Sequence, residues 1–231
     1  MEYKQDIMIK MPKKTFVSIL DYGLGNLFSV KQACEHAGIN ATITNSIEKI
    51  KSSNAIFLPG VGAFGNAISS LKKLNLINTI QNQAKSGKPI IGICLGLQLL
   101  MSSSEEFGKN DGLDLIKGKV LKFPKKNNYK HILKIPHVGW NKIIEKKPNK
   151  WENTPLNKIE NNSFMYFVHS YFVKPSNSNV ILSMSKYFDI EFCSSICYKN
   201  IFGCQFHPER SGKQGLQIYR NIKLWIETVS K

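Results

Sequence analysis

The chain has few acidic residues and almost no arginine. Asp and Glu number 16 against 32 Lys and Arg, a formal net charge of +16, and Arg210 and Arg220 are the only arginines. A nucleic-acid surface would gather its basic residues, arginine prominent among them, on one face. Here lysine is spread along the whole chain, and its dense groups at 122–130 and 142–150 fall in polar, Asn-rich stretches that read as solvated loops. No nucleic-acid partner is expected. No stretch approaches the ~20 consecutive apolar residues that cross a bilayer, so no membrane partner is expected either. Cysteine is sparse and odd in number: Cys34, Cys94, Cys193, Cys197 and Cys204. Without a signal-like apolar run at the N-terminus, reduced thiols in a cytoplasmic protein are the expectation. Cys193 and Cys197 lack the second pair, or the histidine pair, that would complete a zinc set, so neither a metal nor a cofactor is expected. Internal repeats are absent.

What is present suits one globular domain. The 231 residues are 42% apolar and 21% charged, enough for a sizeable core and inconsistent with disorder. Residues 1–14 are polar and aperiodic and read as an extension, flexible in expectation, ahead of a domain spanning 15–231. Residues 15–20 form a short apolar strand, followed by a Gly-rich turn at 21–26 and a helical pattern at 27–37. Strands at 41–44, 55–58 and 89–93 alternate with helices at 67–74 and 77–85, which predicts a mostly parallel central sheet flanked by helices, an α/β fold. Short strands at 120–123, 164–168, 180–185, 195–198 and 201–205 are expected to add antiparallel strands to that sheet. Apolar residues at Leu216, Ile218, Tyr219, Ile222, Trp225 and Ile226 give the closing helix, 216–229, one buried face.

Cys94 stands between Gly92 and Gly96 where an apolar strand hands over to a helix, the layout of a nucleophile elbow. The turn leaves no room for side chains at the flanking positions, and the helix start favours thiolate and offers free backbone N–H groups to an oxyanion. The competing reading is a small buried apolar residue, the usual condition of a free cysteine. Further on, His207-Pro208-Glu209 follows a short strand, at a sheet end where sites of parallel sheets gather. With Pro208 fixing the backbone between them, an extended path aims His207 and Glu209 the same way, so the carboxylate can hold the imidazole in the tautomer that accepts a thiol proton. A plain surface turn is the alternative. The third stretch, Pro59-Gly60-Val61-Gly62, ends a buried strand and can present backbone N–H groups to a negative oxygen. It has no following Lys-Ser or Lys-Thr and is not a phosphate loop.

In this order the three stretches resemble the class I, or triad, glutamine amidotransferases. Four further stretches sharpen the likeness, which extends from Thr15 to the C-terminus: Asp21-Tyr22-Gly23-Leu24-Gly25-Asn26-Leu27, Leu58 to Phe64, Pro136-His137-Val138-Gly139-Trp140-Asn141, and Phe167-Val168-His169-Ser170-Tyr171. They point within the family to the glutaminase subunits that serve imidazole glycerol phosphate synthesis. The resemblance implies a flavodoxin-like fold, Cys94 as nucleophile, His207 as base and Glu209 as its orienter. It implies oxyanion donors at the amides of Val61 and Leu95, and glutamine held by Gly62, Gln98, Glu106, Ser170 and Tyr171. Asn26, Pro136, His137, Trp140 and Asn141 match a face that meets a (β/α)8 cyclase in a heterodimer. Residues 1–14 fall outside the family pattern, and residues 187–197 lack the glycines common before its final strand. Other readings are a related subunit that supplies ammonia to a surface-polysaccharide sugar, a stand-alone cysteine hydrolase, and an idle binding module. Subunits for anthranilate or aminobenzoate usually carry His where this chain has Leu97.

Overall fold

The computed structural model describes residues 15–126, 129 and 132–229. The expected extension at 1–14 and part of the basic stretch at 122–130 lie outside them. The first half runs β1 (Phe16–Leu20), α1 (Leu27–His36), β2 (Asn40–Thr44), α2 (Ile47–Ser52), β3 (Ala55–Gly60), α3 (Phe64–Lys73), α4 (Leu76–Lys85), β4 (Ile90–Cys94) and α5 (Leu95–Leu99). Strands dominate the second half: β5 (Met101–Ser104), β6 (Asn110–Asp111), β7 (Ile116–Lys122), β8 (His137–Lys142), β9 (Ile144–Glu145), β10 (Phe164–His169), β11 (Tyr171–Pro175), β12 (Ile181–Tyr187), β13 (Ile190–Tyr198) and β14 (Ile201–Cys204). Helix α6 (Gly212–Val229) follows.

The main sheet has the order β2-β1-β3-β4-β14-β13-β11-β7-β5-β6. Strands β2, β1, β3, β4 and β14 are mutually parallel, whereas β13, β11 and β7 pair antiparallel in turn. The fold is the mixed α/β architecture expected. Strands β3 and β4 are buried along their whole length because helices cover both faces of the sheet. Their side chains divide by parity. Phe57, Ile91 and Ile93 face the layer formed by α1 and α6, where Val30, Cys34, Ile218, Ile222 and Trp225 pack. Ile56, Leu58 and Ile90 face the layer of α2 to α5, with Ile50, Phe64, Leu71 and Ile80. Each such side chain removed from water contributes roughly 1.5–3 kcal/mol before the entropy of ordering is subtracted.

Several elements depart from the sequence reading. Helix α2 was not expected because it is short and largely polar; Ser46 caps it by accepting from the Lys49 N–H, and only Ile50 is fully buried. Strand β7 begins at Ile116, earlier than the expected 120, with outward Lys117 and Lys119 alternating with inward Ile116 and Val120. Gly118 sits within it because a Cβ there would lie 2.7 Å from the Lys174 carbonyl oxygen of β11. The expected strand at 164–168 does exist, but it pairs with β8 in a separate two-stranded sheet rather than joining the main one. The stretch 136–141, which the sequence reading assigned to no strand, is therefore mostly strand.

Candidate active site

The site lies at the C-terminal ends of the parallel strands, where the chain leaves β3, β4 and β14. Cys94 ends β4 with φ 55° and ψ −109°, a conformation that costs a non-glycine residue of order 1–3 kcal/mol and holds only when its neighbours over-determine it. They do. A Cβ on Gly96 would lie 1.6 Å from the Leu58 carbonyl oxygen, and one on Gly92 would lie 2.9 Å from the backbone of Gly96 and Leu97. The elbow therefore follows from the two flanking glycines, and Cys94 itself is 6% exposed. Helix α5 spans only five residues, so it has little macrodipole. What the thiol gains is local: the N–H groups of the first turn, beginning with Leu95, have no intrahelical acceptor.

Nδ1 of His207 is 2.7 Å from Oε1 of Glu209, whose side chain is 1% exposed. Geometry of another kind than expected brings them together. After His207 the chain turns into a 3₁₀ segment, Pro208–Arg210, instead of running extended. The turn is pinned from three sides. His207 N–H donates to the Tyr166 carbonyl at 2.9 Å, Ser211 Oγ donates to the His207 carbonyl at 2.6 Å, and Gly215 of α6 packs so closely that a Cβ would lie 1.9 Å from the Pro208 oxygen. Burial lowers the imidazole pKa, but the neighbouring Cys94 and Glu209 outweigh it and raise it to about 10. Nε2 of His207 is buried, and the Cys94 thiol acts on the ring both through its charge and as a hydrogen-bonding neighbour. Cys94 Sγ lies 3.8 Å from the Val168 carbonyl oxygen and 3.6 Å from Nε2 of Gln205.

Cys94 opens onto a cavity of about 270 Å³ lined by Val61, Gly62, Cys94, Leu95, Gln98, Glu106, Pro136, Val168, His169, Ser170 and Tyr171. Both expected oxyanion residues and all five expected glutamine contacts thus line one cavity with the thiol. Gly62 has φ +99°, which favours glycine. The loop carrying it is tied down by buried Tyr22, whose hydroxyl donates to the Pro59 carbonyl at 2.6 Å. Burial holds that phenol far above its ordinary pKa, so it stays a donor. Glu106 accepts the Phe64 N–H at 2.7 Å with Oε2, capping α3 just beyond the loop. Gln98 is 5% exposed and donates to the Tyr171 carbonyl at 3.0 Å and to Gln205 Oε1 at 3.1 Å.

Of the residues expected at an interface, Asn26 caps α1 and Pro136 sits on the cavity rim, both exposed. Trp140 is 55% exposed and Asn141 half-buried. His137 is a correction: its side chain points inward, buried against His169, and the strand's alternation puts Val138 and Trp140 outside in its place. Gln205 and His169 were missed, although His169 lies inside the Phe167 to Tyr171 motif and Gln205 just before the His-Pro-Glu turn; a polar residue ending an otherwise apolar strand was the available signal for Gln205.

The family described as glutamine amidotransferase class-I matches residues 18–224. The chain is 43% identical over 207 residues to imidazole glycerol phosphate synthase subunit HisH 1 of Legionella pneumophila (strain Paris), covering 89% of this chain and 97% of that one. It is 48% identical over 209 residues to subunit HisH of Methanosarcina mazei, covering 89% and 96%. Among solved structures, PurLQS from Thermotoga maritima superposes with a TM-score of 0.68 at 18% identity, covering 92% of this chain and 99% of that one. A glutamine amidotransferase from Thermotoga maritima gives 0.57 at 16%, covering 94% and 90%. At such identities the structures speak for the fold alone, whereas the sequence matches extend through the elbow, the His-Pro-Glu turn and the cavity: the chain belongs to the class I glutamine amidotransferases and, among them, to the HisH family.

Proposed function

We infer that this chain is the glutaminase subunit of an imidazole glycerol phosphate synthase, hydrolysing glutamine to glutamate and ammonia and passing the ammonia to a partner subunit. The observation that carries the reading is a conformationally strained thiol beside a carboxylate-anchored imidazole, at the wall of a cavity, in a chain alike to HisH subunits over 89% of its length.

The chemistry follows from the geometry. The Cys94 sulfur attacks the side-chain amide carbon of glutamine, and the carbonyl π electrons move to oxygen. The amides of Leu95 and Val61 hold that oxyanion. His207, protonated and anchored by Glu209, gives its Nε2 proton to the leaving nitrogen, which departs as ammonia and leaves a thioester on Cys94. Water deprotonated by His207 then attacks the thioester, releasing glutamate and restoring the thiolate–imidazolium pair. Glu106 is the buried carboxylate of the cavity and suits the substrate's α-ammonium.

The partner we propose is a (β/α)8 cyclase of the HisF kind, forming a heterodimer over the outer face of the β8–β10 hairpin. Val138, Trp140 and Phe164 are each more than half exposed there, and Tyr166 lies beside Trp140 with Arg210 over its ring. An aromatic surface with an arginine beside the cavity mouth has the composition of an interface core. The reading puts the chain in the cytoplasm, where its free cysteines stay reduced. Partner co-purification followed by glutaminase assay of the chain alone and in complex tests it. A cyclase partner and ammonia release that depends on Cys94 are expected. A sugar-modifying synthase as partner would overturn the acceptor.

A further inference from the structure

Between the β8 surface and the nucleophile lies a continuous chain of buried polar groups whose hydrogen bonds can run in only one direction. The Tyr171 carbonyl can only accept, so Nδ1 of His169, 2.9 Å away, carries a proton. In a neutral ring Nε2 of His169 is then a lone pair, and Nδ1 of His137, 3.0 Å from it, must donate. That leaves Nε2 of His137 as acceptor for the amide nitrogen of Asn141 at 3.4 Å. The flip state of this amide is set independently, because the same nitrogen donates to the Lys186 carbonyl at 3.0 Å. On the other side the Tyr171 carbonyl also accepts from Gln98, whose second hydrogen goes to Gln205 Oε1 and so turns Gln205 Nε2 toward the Cys94 sulfur.

We propose that His137 and His169 are positioning residues for glutamine hydrolysis: a neutral imidazole pair that fixes the Ser170–Tyr171 wall of the cavity and, through Gln98 and Gln205, the direction of the Cys94 sulfur. The proposal rests on the reading of Cys94 as the glutaminase nucleophile. Neither ring points a free nitrogen at the substrate, and their partners consume both nitrogens of each. Tyr187 packs 4.2 Å from the His137 ring and Phe192 5.1 Å from His169, which excludes water that could replace these bonds and strengthens them. Burial also pushes His137 down to about 4 and His169 to about 3, keeping both neutral. An imidazolium at either position would set donor against donor. The chain begins at half-buried Asn141, beside exposed Trp140, so a surface residue and the thiol share one set of bonds.

The test combines spectra of the unaltered chain with kinetics of two variants. Histidine ¹⁵N NMR at neutral pH should show both rings as the Nδ1–H tautomer; an Nε2–H tautomer or an imidazolium for either ring overturns the proposal. His137→Phe keeps the aromatic packing but removes the donor, and it should lower kcat in the partnered enzyme about tenfold or more with KM changed less than about threefold, as expected for a displaced nucleophile. Alkylation of Cys94 by iodoacetamide should slow in parallel. His137→Asn, which keeps a donor near the Nδ1 position, should recover most of both rates. Unchanged kcat and alkylation in folded His137→Phe overturn the proposal; should that variant not fold, the tautomers decide alone. If the unaltered protein released no ammonia from glutamine yet alkylation still slowed in His137→Phe, the glutaminase reading would fail while the positioning role stood.

Discussion

Gly96→Ala probes the elbow most directly. The new Cβ would sit 1.6 Å from the Leu58 carbonyl oxygen and 2.8 Å from its carbon, both backbone atoms of a fully buried central strand. No flexible side chain can yield. Contacts under 3.0 Å are essentially never made by a Cβ, so strand and helix must part by about 1.4 Å, the difference between 3.0 and 1.6 Å, in an interior packed too tightly to absorb it. Overpacking of this sort typically costs ~1–3 kcal/mol, which at ~2–4 °C per kcal/mol for a chain of this size lowers Tm by roughly 2–12 °C. Function should suffer more than stability. Leu95 and Cys94 move with α5, and ~1 Å of misplacement is worth ~10²-fold in rate. Glutaminase kcat in complex with the partner, beside a thermal melt, measures both. A Gly96→Ala protein with unaltered kcat and Tm would refute the claim that contact with β3 imposes the bend at Cys94.

Other outcomes follow from the same geometry. Glu209→Gln keeps an acceptor-sized side chain but removes the charge that helps hold His207 protonated, and kcat should fall by roughly two to four orders of magnitude; a loss below tenfold would remove Glu209 from the mechanism. The histidines bear on stability with opposite signs. His207, raised from 6.5 to about 10, contributes stability that is full below pH 6.5 and lost as pH rises through about 10. His137 and His169, lowered from 6.5 to about 4 and about 3, contribute stability present above pH 6.5 and lost as pH falls toward those values. Urea midpoints across pH should therefore lose their alkaline decline in His207→Gln and part of their acid decline in His137→Phe; parallel curves for all three proteins would contradict both assignments. Trp140→Ala should weaken partner binding by about 2 kcal/mol, near thirtyfold in Kd by calorimetry, while the Tm of the chain alone stays unchanged.

The sequence alone determined the elements of the first half, the short polar α2 excepted, and the stretches that supply the candidate site. Continuous apolar runs at β3 and β4 could only be strands covered on both faces, and Gly92, Cys94 and Gly96 specify a bend whose local sterics hardly depend on the rest of the fold. The cavity residues were legible as well, because the motifs carrying Gly62, Gln98, Ser170 and Tyr171 are dense and ordered. Strands β8 and β11 were not legible: their pairing partners, β10 and β7, are distant along the chain, and cross-strand register leaves no mark on local periodicity. The turn that brings Glu209 to His207 is likewise held by Tyr166, Ser211 and Gly215, contacts that no local pattern announces. Tertiary structure alone decided that His137 faces inward. Pro136-His137-Val138 reads equally well as a surface loop, and only pairing with β10 turns one side chain toward His169 and the next toward solvent. Spacing along a chain sets which residues can alternate, but which side of a strand meets the interior is settled by what packs against it.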